Sequence, residues 1–73
     1  MSRKIFTLRN LYREGTERLE KAGIPEAKLD AWYLLEYETG VSRAMFFTDP
    51  DREIEKEQAE HYQKDIETRV GRI

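Results

Sequence analysis

The chain has 73 residues and no cysteine, which bounds it to one small domain that buries only about 60% of its unfolded surface and has no disulfide or thiolate metal site. Charged residues make up 38% of it, but the formal net charge is only −2 and the signs are interspersed, so it lacks the basic block typical of nucleic-acid binders. No apolar run approaches the roughly 20 residues of a membrane span, and we expect a cytoplasmic protein.

The first predicted helix begins after Thr7. A threonine there is a favourable N-cap, because its hydroxyl accepts a hydrogen bond from an N–H group of the first turn. Leu8, Leu11 and Leu19 follow at helical spacing and form one apolar face. Gly23 is a helix stop, since glycine adopts the left-handed conformation without a Cβ penalty. The pattern predicts a helix from Thr7 to about Ala22.

A second and a third helix follow. Proline suits the first turn of a helix, so the second helix is predicted from about Pro25 to Thr39, ending before Gly40. It is apolar almost all round, which is typical of a helix shared between a core and a partner. Ser42 is predicted to cap a short third helix that runs through Thr48.

The last helix is predicted from about Glu55 to Val70. It follows the sequence Asp49-Pro50-Asp51, a turn signal in which proline fixes its own φ and keeps the preceding residue out of the helical region. The chain shows no alternating β-branched run, no Asn-Gly turn and no repeat. We therefore predict an all-α fold, a small helical bundle of four to five short helices.

The apolar stripes identify candidate core and surface residues. Tyr33 and Tyr37 share a face of the second helix and are candidates either for the core or for partner binding, because aromatic side chains dominate binding hot spots. The predicted core consists of Leu8, Leu11, Leu19, Ala31, Trp32, Leu34, Leu35, Phe46, Tyr62 and Ile66.

No residue is identified as catalytic, cofactor-binding or metal-binding. His61 is the only histidine, and although Glu57 and Asp65 share its helical face, such triplets are common on solvated helices rich in Glu and Lys. There is no Gly-rich phosphate loop and no Gly-x-Ser-x-Gly elbow. The sequence therefore predicts an interaction module without a catalytic site.

The order of the segments resembles the N-terminal domain of the HemK/PrmC family, the release-factor glutamine methyltransferases. The match extends from Thr7 to Ile73, and the surroundings of Asp30-Ala31-x-x-Leu34-Leu35 are its most specific part. The segments with this resemblance are Thr7–Leu11, Ala22–Ala27, Leu29–Leu35, Gly40–Ala44 and Arg69–Ile73.

The resemblance implies a domain that helps to hold a peptide chain release factor, while a second domain uses S-adenosylmethionine to methylate the glutamine of its Gly-Gly-Gln motif. The family's Gly-rich cofactor loop and Asn-Pro-Pro-Tyr motif belong to that second domain, and neither occurs here. We therefore expect residues 1–73 to be a substrate-recognition domain that is itself not catalytic. Residues 70–73 are expected to begin a linker, with the catalytic domain absent from this chain.

Two other functions remain open at the sequence level. A helical nucleic-acid-binding domain is disfavoured because the third helix offers Met45, Phe46 and Phe47 with a single arginine, Arg43, whereas reading of base edges requires several polar or basic side chains. A structural bundle that homodimerises through the aromatic face of the second helix is the other alternative. We expect a monomer that binds neither nucleic acid nor membrane.

Overall fold

The structure is a computed structural model that describes residues 5–71. This range contains a helical bundle with one short strand pair, and the prediction of a small bundle with four to five helices is confirmed. No helix in residues 5–71 is long and apolar enough to cross a membrane. In chain order, the elements are β1 (Phe6–Thr7), α1 (Leu8–Lys21), α2 (Ala27–Thr39), α3 (Arg43–Thr48), β2 (Glu53–Ile54) and α4 (Lys56–Val70).

Two of the helices begin with the predicted caps. The Thr7 hydroxyl oxygen accepts a hydrogen bond from the backbone N–H of Asn10 at 3.2 Å, at the start of α1. The Ser42 hydroxyl oxygen accepts one from the N–H of Met45 at 3.2 Å, at the start of α3. Gly23 has a φ of +82° just after α1, where a Cβ would introduce strain. Local side-chain chemistry therefore sets these helix ends.

The start of α2 differs from the prediction. Pro25 and Glu26 form a turn, and the helix begins at Ala27. The backbone carbonyl of Glu26 accepts a hydrogen bond from the N–H of Asp30 at 2.9 Å, but its side chain makes no cap bond. The prediction was wrong because the φ that proline imposes suits both a turn and the first turn of a helix. Gly40, with a φ of +70°, ends α2 as predicted.

A two-residue antiparallel strand pair was not predicted. Phe6 pairs with Ile54, and Thr7 pairs with Glu53. The sequence contains no sign of this pairing, because two residues are too few to show the alternation of a half-buried strand. The pair ties the segment before α1 to the segment before α4.

The predicted turn around Pro50 continues this connection. The N–H of Leu8 donates to the carbonyl of Arg52 at 3.2 Å, and the N–H of Arg9 donates to the carbonyl of Pro50 at 2.9 Å. Both donors lie in the first turn of α1, where N–H groups have no partner within the helix. An exposed ion pair between Arg9 and Asp51 at 3.5 Å adds to the contact. The loop before α4 therefore supplies hydrogen-bond acceptors for the first N–H groups of α1.

The core lies between α1, α2 and α4. Leu34 and Phe46, both expected in the core, are only half-buried against its edge. Leu34 lies about 100° around α2 from Leu35, which faces the centre, and Phe46 lies on the short helix α3 at one side. The other eight expected core residues are buried, and so are five residues that were not among the predicted core: Ile24, Ala27, Val41, Ile54 and Ala59.

Tyr62 links three helices at the centre of the core. Its hydroxyl donates a hydrogen bond to the backbone carbonyl of Ala31 at 3.1 Å, joining α4 to α2. Gly15 of α1 lies so close to it that a Cβ at that position would overlap the Tyr62 hydroxyl. Burial raises the pKa of the Tyr62 hydroxyl. The buried Tyr62 hydroxyl is therefore an uncharged hydrogen-bond donor, and the space that it occupies is available because residue 15 has no side chain.

Candidate binding surfaces

The two tyrosines predicted as partner-binding residues lie on the solvent side of α2. Tyr33 is 57% exposed and Tyr37 is 81% exposed, and Leu29 lies one turn before Tyr33 and is also exposed. The spacing of four residues places the three side chains on one face, opposite Ala31 and Leu35 in the core. We call Leu29, Tyr33 and Tyr37 the α2 strip. The structure thus leaves both tyrosines accessible.

A second apolar surface forms where α3 meets α1 and α2. The ring of Phe46 lies 5.5 Å from that of Tyr12 and 5.5 Å from that of Trp32, and the Tyr12 and Trp32 rings are 6.2 Å apart. All three pairs are near perpendicular, the edge-to-face arrangement that aromatic quadrupoles favour. The cap at Ser42 starts α3 and thereby brings Phe46 to the other two rings. These rings form the floor of a small depression.

Arg43 and Phe47 complete the rim of this depression. The Arg43 guanidinium carbon lies 5.2 Å from the centre of the Trp32 ring, within cation–π distance. Phe47 packs edge to face against Phe46 at 6.1 Å and is nevertheless 74% exposed. We call the depression, of about 120 Å³, the aromatic cleft, and its lining residues are Tyr12, Trp32, Arg43, Phe46 and Phe47.

A cluster of ionisable groups joins the end of α2 to α4. A side-chain hydrogen bond with Asp65 raises the pKa of Glu38, burial and the charge of Asp65 raise it further, and His61 opposes the shift. His61 Nδ1 lies 4.0 Å from a Glu38 carboxylate oxygen, and the Glu38 side chain is only 16% exposed. The buried Oδ2 atom of Asp65 has no hydrogen-bond partner. The surroundings of Glu38 therefore favour the protonated form of its carboxyl group.

Among residues 5–71, no group of three or more His, Asp or Glu side chains is placed to hold a metal ion. Asp30, near the other end of α2, pairs with Arg69 of α4 at 3.0 Å. Charged side chains therefore connect α2 to α4 near both ends of α2.

Another surface depression, of about 860 Å³, lies beside β2, where Glu53, Glu55 and Glu60 line it together with Phe6 and Ile54. Its three glutamates are exposed residues, so the depression is open to solvent.

The aromatic cleft was not predicted as a binding surface. Trp32 and Phe46 were assigned to the core, and Tyr12, Arg43 and Phe47 were not assigned to any site. A signal existed in the sequence, because Phe46 and Phe47 are adjacent on a helix of six residues. Neighbouring side chains lie about 100° apart on a helix, so a short helix at the edge of the core is expected to leave one of two adjacent rings exposed.

The fold and its surfaces define a small helical bundle domain that presents exposed aromatic side chains. Comparison with protein families shows that residues 10–73 match the model of the PrmC N-terminal domain. The match includes α2, α3 and α4 completely and nearly all of α1. The chain belongs to the PrmC N-terminal domain family.

Two curated relatives support this assignment. The release factor glutamine methyltransferase of Deinococcus radiodurans is 35% identical over 66 residues, covering 90% of this chain and 24% of that protein. The release factor glutamine methyltransferase of Caulobacter vibrioides is 36% identical over 67 residues, covering 92% of this chain and 23% of that protein. The chain therefore spans about a quarter of the length of these relatives. No solved structure matches it significantly.

Proposed function

We propose that this chain is the substrate-recognition domain of a release factor glutamine methyltransferase. The observation that supports the proposal most strongly is the family match over residues 10–73, together with two relatives of that name at 35% and 36% identity. In this proposal the whole enzyme acts in the cytoplasm on a peptide chain release factor. It transfers a methyl group from S-adenosylmethionine to the glutamine of the Gly-Gly-Gln motif, a reaction that serves translation termination.

The proposed mechanism of the domain is docking. A second binding site on a large protein substrate turns the approach of the reactive loop into an intramolecular event with a raised effective concentration. The catalytic domain then needs only weak contacts with the Gly-Gly-Gln loop itself. Two surfaces with exposed aromatic side chains are candidates for the docking site, the α2 strip with Tyr33 and Tyr37 and the aromatic cleft with Phe47, since tyrosine and other large rings contribute much of the energy of protein interfaces.

The proposal assigns no catalytic or cofactor residue to this chain. The methyl donor and the groups that orient the glutamine amide are expected in the remaining three quarters of the enzyme. This division of labour implies that the domain changes how tightly the protein substrate is held and has little influence on the methyl transfer itself.

The experiment is a deletion of residues 1–73 from the whole enzyme. KM and kcat are then measured with two substrates, the intact release factor and a short peptide that contains the Gly-Gly-Gln motif. We expect the deletion to raise KM for the intact factor far more than KM for the peptide, because only the intact factor reaches the docking domain. Equal changes for the two substrates would refute the docking role.

A further inference from the structure

The aromatic cleft has the size and shape to accept one apolar side chain. Its volume of about 120 Å³ is close to the roughly 150 Å³ of an apolar cavity that binds benzene. The floor is rigid, because Trp32 is buried and is packed edge to face with Tyr12 and Phe46. A preformed apolar cleft loses little conformational entropy on binding.

The rim of the cleft adds a positive charge. One face of the Arg43 guanidinium is turned to Trp32, and no carboxylate in residues 5–71 forms an ion pair with it. A guanidinium that stacks on a ring still presents the N–H groups at its edge, and these suit a carboxylate in a two-pronged hydrogen bond. Within residues 5–71, no acidic side chain lines the cleft itself.

A groove that shares Tyr12 and Phe46 with the cleft continues along α1. Arg13 lines this groove, forms no ion pair with a described carboxylate and donates to the side-chain oxygen of Asn10 at 3.2 Å. Lys28 lies at the far end of the groove, where it shares another depression with Glu20. Glu17 and Glu20 lie toward the end of α1 and make the far end acidic. A bound acidic group is therefore favoured at the end nearest to Arg43.

The α2 strip does not combine an apolar depression with a positive charge at its rim. Leu29, Tyr33 and Tyr37 project from a single helix face, and neither tyrosine lines any of the depressions described above. The exposed Glu36 also lies beside Tyr37 near the end of α2, so the charge next to the strip at that end is negative. A convex surface leaves an incoming side chain partly hydrated, whereas binding hot spots occupy desolvated pockets.

We infer that the aromatic cleft is the docking point for the protein substrate, and that it binds a segment in which an apolar side chain stands next to a carboxylate. The apolar side chain fills the space between Trp32, Phe46 and Phe47. The carboxylate accepts hydrogen bonds from the edge of the Arg43 guanidinium. The identity of the substrate as a release factor rests on the proposed function, while the chemistry of the bound segment follows from the cleft.

The test uses the whole enzyme with single substitutions in this domain. Phe47→Ala and Arg43→Ala change exposed side chains, and retention of the fold is checked by circular dichroism. The measured quantity is KM for the intact release factor divided by KM for the Gly-Gly-Gln peptide. We expect each substitution to raise this ratio by about tenfold, the effect of losing a hot-spot contact.

Two comparison variants make the result specific. Tyr37→Ala removes a ring that is even more exposed than Phe47 but belongs to the α2 strip, and we expect it to change the ratio by less than about twofold. Arg43→Lys keeps the charge but loses the planar fork and the stacking, so we expect it to restore only part of the affinity. The rise of KM with salt should be shallower for Arg43→Ala than for the unsubstituted enzyme.

The outcomes separate this inference from the proposed function. If the deletion of residues 1–73 raises the KM ratio but Phe47→Ala and Arg43→Ala do not, docking is right and the cleft is the wrong surface. A loss confined to Tyr37→Ala would assign docking to the α2 strip instead. If the deletion leaves the ratio unchanged, the docking function itself is wrong.

Discussion

At the scale of single residues, Gly15 is a position where the packing leaves no room for a larger side chain. A Cβ there would overlap the Tyr62 hydroxyl and would also come within 3.1 Å of Ile66. We therefore expect Gly15→Ala to destabilise the domain by about 1 to 3 kcal/mol, the usual cost of overpacking. The measurement is urea unfolding followed by the fluorescence of Trp32, the single tryptophan.

Gly71→Ala is the matched control for this substitution. Gly71 lies at the end of α4 with a negative φ, and an added Cβ would be in ordinary contact at 3.6 Å. We expect no loss of stability there. In a Tyr62→Phe background the overlapping hydroxyl is gone, so Gly15→Ala should lower the free energy of unfolding by less than it does in the unsubstituted protein. An unchanged loss would show that the clash lies elsewhere.

Leu34 and Leu35 are adjacent in the sequence but should differ in their contribution to stability. Leu35 is fully buried, whereas Leu34 is only half-buried. We expect Leu35→Ala to cost about 2 to 5 kcal/mol and Leu34→Ala to cost clearly less, since less surface and less cavity are involved. Chemical denaturation compares the two, with the exposed Glu60→Ala as a near-neutral control. A larger loss for Leu34→Ala would contradict the assigned faces of α2.

At the scale of elements, the carboxyl pair between α2 and α4 predicts an unusual pH dependence. Hydrogen bonding with Asp65, with burial, raises the pKa of Glu38 above its ordinary value of 4.5. The folded state therefore retains a proton at pH values where the unfolded state has lost it. The stabilisation from this proton is complete below pH 4.5 and is lost as the pH rises through the raised pKa.

The difference between the protein and its Glu38→Gln variant measures this effect. Glutamine remains an uncharged donor at every pH, so the variant should gain stability relative to the unsubstituted protein as the pH rises from 4.5 toward neutrality. Glu36→Gln, at an exposed position on the same helix, is the control and should keep the original slope. A constant difference between the protein and Glu38→Gln across this range would show that the pKa of Glu38 is not raised in the folded state.

The elements also show how much the sequence predicts. The limits of α1, α3 and α4 follow from Thr7, Ser42 and Val70 to within a residue or two, because caps and periodicity are local signals. The strand pair was missed, since its register depends on the loop around Pro50 folding back onto α1. The expected linker start at residues 70–73 lies partly outside the described residues, and within them α4 ends at Val70.

The binding surfaces were predictable only in part. The spacing of Tyr33 and Tyr37 placed them together on one face of α2, and both are exposed. The aromatic cleft depends on the approach of α3 to α1 and α2, a contact between distant segments that periodicity within one helix does not reveal. Trp32 illustrates the limit, because it is both a buried residue and the floor of a surface depression.

At the scale of the whole molecule, the chain corresponds to about a quarter of the release factor glutamine methyltransferases that it matches. Its stability comes from one small core, which suits a domain that adds a binding surface to an enzyme. The docking proposal requires that the affinity for the protein substrate be divided between this domain and the catalytic domain. Such a division makes the free domain a competitor of the enzyme for its substrate.

The most direct test of the docking claim adds the free 73-residue chain to the whole enzyme during methylation. We predict that the added chain inhibits methylation of the intact release factor by occupying its docking segment, and that it leaves methylation of the Gly-Gly-Gln peptide unaffected. Inhibition should be overcome by more release factor. Absence of inhibition with the chain in large excess, or equal inhibition with both substrates, would contradict the account.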